Sequence, residues 1–391
     1  MSPTAYRLPR GMVARWLATL LVAAGCSEPE RDGSVEDATV AQDTGAALPE
    51  DAGGSVGLDA HALDGALMLI DDALEGAVAA ATDAASTEPY LPPNVTFPSA
   101  RPTRPFMLSE VGLYRDIVAK TLAPDLISYD PLYGLWSDGA DKQRYLRLPP
   151  GARIDNSDAD HWQFPVGAVL FKEFRRGAKR LETRVLARTG AGPRDYFFGA
   201  FVWRDDGSDA ELSWDGASNV GQSTHDVPSV TQCGTCHNGE PGRVLGLSAV
   251  QTPSAAEARL LLPVDSPYRV PGDDVQARAL GYLHANCGHC HNPQGSARPD
   301  TDLALRLSVQ QRTIEQTSAY LSSVGVALQS FQGTSLELRV AAGEPEQSGL
   351  YFRMRERGPR TQMPPIGTEQ ADADGLATMA AFIAELAPPL P

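Results

Sequence analysis

The chain has 391 residues and a formal net charge of −16. Its length suggests two to three domains, and a hydrophobic content of 42% suffices for real cores. Residues 27–90 hold fifteen Asp/Glu and one base, Arg31, whereas 91–391 carries 34 acids against 29 bases. The acidity is therefore mostly an N-terminal property. A phosphate backbone needs a basic face, so nucleic acid is excluded as the partner. No run of about 18 uncharged apolar residues occurs, which excludes a multi-span membrane protein.

Arg7, Arg10 and Arg15 form a positive start, residues 16–24 form a short apolar run, and Ala23, Ala24 and Gly25 precede Cys26. This order reads as a secretory signal over residues 1–26. Its end resembles a bacterial lipoprotein signal, although Ala23 stands where such signals prefer Leu. The resemblance implies a lipid on Cys26 and export to the cell envelope, with anchoring at a membrane. Ser27 then implies the outer membrane, with the protein facing the periplasm or the cell surface. Residues 27–95 are rich in Ala, Gly, Asp and Glu, and poor in aromatics. Low hydrophobicity and like charge predict a disordered tether.

Five prolines between 91 and 105 mark the start of a globular part. Strand-like runs follow at 143–148, 168–174, 181–188 and 196–203, punctuated by Gly, Pro and Asp. That spacing predicts antiparallel strands in a sandwich or barrel, over a domain of residues 96–250. Trp162, Phe164, Phe171, Phe198 and Trp203 are its expected core. The run from Trp136 to Lys142, with Asp138 and Asp141, reads as a turn. Closely spaced Asp residues can also hold a cation, but the twelve-position calcium pattern is not met.

From Pro271 the periodicity changes. Asp273 or Asp274 can cap a helix carrying Val275, Ala279, Leu280, Leu283 and Cys287. Residues 313–323 read as an amphipathic helix. Asp372 or Asp374 can cap a last helix with Leu376, Met379, Phe382, Ile383 and Leu386 on its apolar face. The expected class is thus α+β, with a helical domain over 251–391 after the β-rich one.

The strongest chemistry lies in Cys233-Gly-Thr-Cys236-His237 and Cys287-Gly-His-Cys290-His291. Two thiols three positions apart can each bond one haem vinyl group, and the adjacent His supplies the proximal nitrogen to iron. Two such motifs predict two covalently attached haem c groups, with His237 and His291 on the irons. Zinc is the rival ligand, but it gives no reason for a His after each pair. A thiol-redox pair is the other rival, but no βαβ pattern surrounds the motifs.

The second motif and its surroundings resemble a class I cytochrome c domain over roughly 271–386. The features shared are a helix ending at Cys287, Asn292-Pro293 after the motif, Gln362-Met363-Pro364-Pro365, and a terminal helix. The resemblance implies Met363, 72 residues beyond His291, as sixth iron ligand; Met354 competes from a charged stretch. It also implies that Gly281 and Phe382 meet where the first and last helices cross. His284 and His289 flank this haem, in solvent or near its propionates.

Only 50 residues separate His237 from Cys287. No complete class I domain fits there, so the β-rich half must help to enclose the first haem. His161, His225 and Lys172 are the nearby donors. The stretch Phe164-Pro-x-Gly-x-x-Leu-x-Lys172-Glu173, with C-x-x-C-H at the domain end, resembles the hydroxylamine-oxidising cytochromes whose haem is crosslinked to a lysine. That resemblance implies a role for Lys172; without it, Lys172 is an exposed strand lysine paired with Glu173 or a neighbour. The segment 135–142 resembles one shared by a group of exported bacterial proteins, which names no activity.

Three functional classes follow. The leading one is a dihaem c-type cytochrome carrying electrons between protein partners in the cell envelope. The others are a redox enzyme acting on a small nitrogen or oxygen species at an open haem, and a haem gas sensor. No acid/base or nucleophile constellation is visible, which fits a carrier.

Overall fold

A computed structural model describes residues 94–252, 268–329, 334–358 and 361–387. The signal, Cys26 and the acidic tether up to residue 93 lie outside them. All described residues belong to one compact unit, Ser86–Pro391. The architecture is α+β, with an antiparallel β-rich half followed by a helical half.

Six strands form a meander: β3 (Ile127–Ser128), β4 (Asp141–Arg147), β5 (Val169–Arg176), β6 (Lys179–Arg188), β7 (Tyr196–Trp203) and β8 (Ala210–Leu212), in spatial order of sequence. Two short ribbons flank it, β1 (Tyr114–Asp116) with β2 (Thr121–Leu122), and β9 (Ala217–Val220) with β10 (His225–Val227). The result is one open sheet in place of the expected sandwich or barrel. Its central strands are apolar on both faces, so each face needs its own cover. One face packs Val169, Phe171, Val185 and Phe201 against Phe106, Leu108 and Leu113 from the preceding loops. The other packs Leu146, Leu170 and Leu186 against Ile154, Trp162, Phe164 and Val244. Loops thus do the covering that a second sheet would do in a sandwich.

The helices are α1 (Val230–His237), α2 (Asp274–Asn286), α3 (Ser318–Ser323), α4 (Gly349–Arg355) and α5 (Ala373–Glu385). Asp273 caps α2 by accepting from Val275 and Gln276 N–H, and Asp372 caps α5 through Gly375 N–H. Leu280 and Leu283 of α2 share a core with Met379, Phe382 and Ile383 of α5. The expected helix over 313–323 is broken. A 3₁₀ turn at Ile314–Gln316 stops at Thr317, whose φ of −67° and ψ of 140° are extended. The Thr317 hydroxyl accepts from Tyr320 N–H and restarts the helix there, a local bond that competes with continuation.

Gly281 is a point of close approach to the β-rich half. A Cβ there would collide with the ring of Tyr133, which comes from the β-rich half. The glycine therefore admits the Tyr133 ring from the β-rich half against α2.

Candidate functional site

Helix α1 carries the first motif. Ser229 caps it by accepting from Gln232 N–H, and the Gln232 side chain accepts from Ser229 N–H in return. The helix places Cys233, Cys236 and His237 at i, i+3 and i+4, hence on one side of α1. His237 Nδ1 lies 2.6 Å from the Arg243 carbonyl, which can only accept, so Nδ1 carries the proton. Nε2 is then left with its lone pair, the tautomer a metal-ligating histidine needs. Burial pushes the imidazole pKa down to about 4, so the ring is neutral near pH 7. The Phe198 ring of β7 packs against it at 4.9 Å between centroids.

The second motif begins where α2 ends. Cys287 N–H closes on Leu283 O, and Cys290 and His291 N–H both turn back to Cys287 O. Asn292 is buried and fixes this turn by donating to the Gly288 and His289 carbonyls. Burial lowers the His291 pKa and the Leu303 backbone counters it, yet Nδ1 meets no partner at full hydrogen-bond geometry. Cys287 is also desolvated, which pushes its thiol up to about 12.

The structure brings the two motifs into contact. Cys290 Sγ lies 3.5 Å from the Thr235 carbonyl. The donor atoms of Cys236, His289 and Cys290 all fall within 4.8 Å of one another. A thiol hydrogen bond from Cys236 holds Cys290 low, and the same bond with burial holds Cys236 high, so the pair shares one proton. A four-thiolate zinc site would draw all four sulfurs together. Here one cysteine of each motif converges with a histidine; Cys233 and Cys287 are not part of that group.

Close approach is permitted by Gly239, where a Cβ would strike the His289 carbonyl and lie 2.9 Å from Gly295 Cα. Arg306 clamps the same seam. It pairs with buried Glu240 and donates to Gly239 O at 3.0 Å. Asp160 adds bonds to Ser308 Oγ at 2.5 Å and Val309 N at 2.8 Å.

Of the expected donors near the first motif, His225 and His161 are already engaged. His225 Nε2 is 2.8 Å from Glu182, and His161 Nδ1 is 3.1 Å from Glu240. Glu182 is fully buried; its pKa stays low because Arg184 and His225 outweigh the desolvation that would raise it. Lys172 is not paired with Glu173, which points to the opposite face of β5 and binds Tyr114, Arg175 and Arg180. Lys172 instead shares the sheet face below α1. Desolvation, followed by Arg144, Arg184 and Lys142, holds its pKa well below the usual lysine range.

His284 and His289 are buried rather than solvated. His284 Nδ1 accepts from Leu307 N–H at 3.1 Å, which makes it a structural acceptor. Met354 is a core residue, 7% exposed, not a surface one. It nevertheless lines, with Cys287, Met363, Trp136 and Tyr282, a cavity beside the second motif. The two competing thioethers are therefore neighbours.

The segment 136–142 is a turn with a structural task. Asp138 adopts φ 50°, and its buried carboxylate accepts from Glu369 and Gln370 N–H at 2.9 Å. Trp136 donates twice into the seam: its backbone N–H reaches Asn286 Oδ1 at 2.7 Å and its indole N–H reaches Gln370 O at 3.0 Å. Asp138 is thus spent on backbone donors rather than on a cation.

No family model matches the chain, and no curated protein or solved structure matches it.

Proposed function

We propose that the chain is a dihaem c-type cytochrome that passes electrons between protein partners in the bacterial cell envelope. The observation that carries this reading is the meeting of two C-x-x-C-H motifs whose histidines are half-buried, with His237 held as the tautomer that leaves Nε2 free. Cys233, Cys236 and His237 would hold one haem; Cys287, Cys290 and His291 would hold the other. Met363 completes the second site on the class I cytochrome reading of the helical half. When bound, each haem supplies one-electron chemistry.

The chain's own residues prepare the rest. Arg243 O fixes the His237 proton on Nδ1, and Asn292 fixes the second turn. Gly239 and the Arg306–Glu240 pair hold the two motifs at one seam, so electrons need not cross a wide gap. Asp138 and Trp136 tie the 369–370 backbone, a few residues beyond Met363, to the β-rich half. A lipid on Cys26 would keep the assembly at a membrane. Among the described residues no helix is long and apolar enough to cross one.

A second reading is favoured by one observation. His161 and His225 are both held by carboxylates, which withholds them from an iron at the first motif. An open iron there would suit a redox enzyme for a small nitrogen or oxygen species, with Lys172 nearby, or a gas sensor. Optical and EPR spectra of oxidised and reduced protein separate the readings. Two low-spin haems indifferent to CO and NO fit the carrier. A high-spin first haem that binds either gas supports the enzyme or sensor and overturns the pure carrier.

A further inference from the structure

The face of the meander sheet below α1 carries an arrangement that electron transfer does not use. Arg144 of β4 is directly opposite Lys172 of β5, and Lys172 is directly opposite Arg184 of β6. Three cations therefore stand in one register row across three adjacent strands. Like charges directly opposite one another destabilise a sheet. The outer two are answered: Arg144 by Asp130 at 3.0 Å, and Arg184 by Glu182 at 2.6 Å. The central Lys172 forms no salt bridge among the described residues: the Phe174 ring lies 4.9 Å from Nζ, and Glu182 acts on it through space while bonded to Arg184 and His225. Lys172 reaches solvent in part but is surrounded by protein atoms. Lys142, diagonal to it and cross-strand from Phe174, spends its ammonium on the Leu135 carbonyl at 2.8 Å. The row shares its sheet face with Phe198, whose ring packs 4.9 Å from that of His237 in the first motif.

We propose that the Arg144–Lys172–Arg184 row is an anion site whose ligand is a carboxylate or small oxyanion seated on Lys172. A central ammonium flanked by two guanidiniums offers charge-assisted donors in a partly dry setting, where such bonds are strongest. Asp130 bonds Arg144, and Glu182 bonds Arg184 and His225, so neither carboxylate forms a salt bridge with Lys172. The anion has two sources of the same chemistry, the propionate side chains of a haem on the first motif or a free solute. The propionate source rests on the dihaem reading; the row itself does not.

Inorganic phosphate is the probe, titrated by calorimetry into the full chain made with and without haem. Saturable binding to the haem-free chain alone assigns the row to haem propionate. Saturable binding to both forms assigns it to a free oxyanion. In either case Lys172→Met should weaken binding at least about tenfold and Lys172→Arg should restore it, since an ammonium–oxyanion bond is worth about 1.5–3 kcal/mol. If the haem-free chain does not fold, the propionate bending band in the resonance Raman spectrum of the haem-loaded protein takes its place. That band should move in Lys172→Met and not in Lys172→Arg. Phosphate binding to neither form, together with an unmoved Raman band, overturns the proposal. Phosphate binding that Lys172→Met leaves unchanged overturns it as well. A pyridine haemochrome assay run alongside shows whether haem is present at all, so a failed dihaem reading is distinguished from a failed anion site.

Discussion

Met354 and Met363 offer the same thioether to the same cavity but are held differently. Met354 sits in α4 and packs in the helical core, while Met363 lies on a loop and donates its N–H to Arg353 O at 2.8 Å. Met363→Ala should therefore abolish the sulfur-to-iron band of the second haem and lower its potential, with little loss of stability. Met354→Ala should keep the band and cost about 2–5 kcal/mol in denaturant unfolding, as deletion of a buried Met does. A band lost in Met354→Ala and kept in Met363→Ala would reverse the assignment. His284 supports a pH prediction. Burial holds its folded pKa at about 4, below the ordinary 6.5. Between those values the unfolded chain binds a proton that the folded chain refuses, so stability falls as pH drops from about 6.5 toward 4. His284→Gln should flatten that slope in urea unfolding measured across this range; an unchanged slope would place the acid sensitivity elsewhere.

At the scale of elements, two local devices position the candidate site. Asp138 accepts two backbone N–H groups from the 369–370 segment while nearly fully buried. Asp138→Ala leaves those donors unpaired, at about 1–3 kcal/mol, and should broaden or weaken the Met363-dependent band because its loop is released. Thr317→Ala removes the hydroxyl that starts α3 and should cost about 1 kcal/mol in thermal unfolding without moving any haem spectrum. Much of this level is legible in the sequence. The run 196–203 coincides with β7 at both ends, because Asp205, Asp206 and Gly207 terminate it. The caps of α2 and α5 follow from Asp273 and Asp372. The break at Thr317 is not legible, since helical periodicity runs through it and only the hydroxyl's competing bond stops the helix. The flanking ribbons are missed for a different reason: two- to four-residue strands carry too little pattern to register.

At the scale of the whole molecule, the candidate site is a product of contacts between distant parts of the chain. Each motif is plain in the sequence, but Thr235 and Cys290, 55 residues apart, meet only through the fold. No local pattern announces that Gly239 must admit the His289 backbone, or that Tyr133 fills the space over Gly281. The row of Arg144, Lys172 and Arg184 likewise needs strand register, which single strands do not reveal. Gly239→Ala tests the seam directly: it should force the motifs apart, lower stability and weaken magnetic coupling between the two irons in EPR. Coupling and stability left intact would mean the seam does not set their distance. The central claim is two covalent haems on one chain, and intact-protein mass combined with a pyridine haemochrome assay tests it most directly. Two haems per chain, with Cys233, Cys236, Cys287 and Cys290 all closed to thiol reagents, is the expected result; one haem or none, with free thiols at either motif, would contradict it.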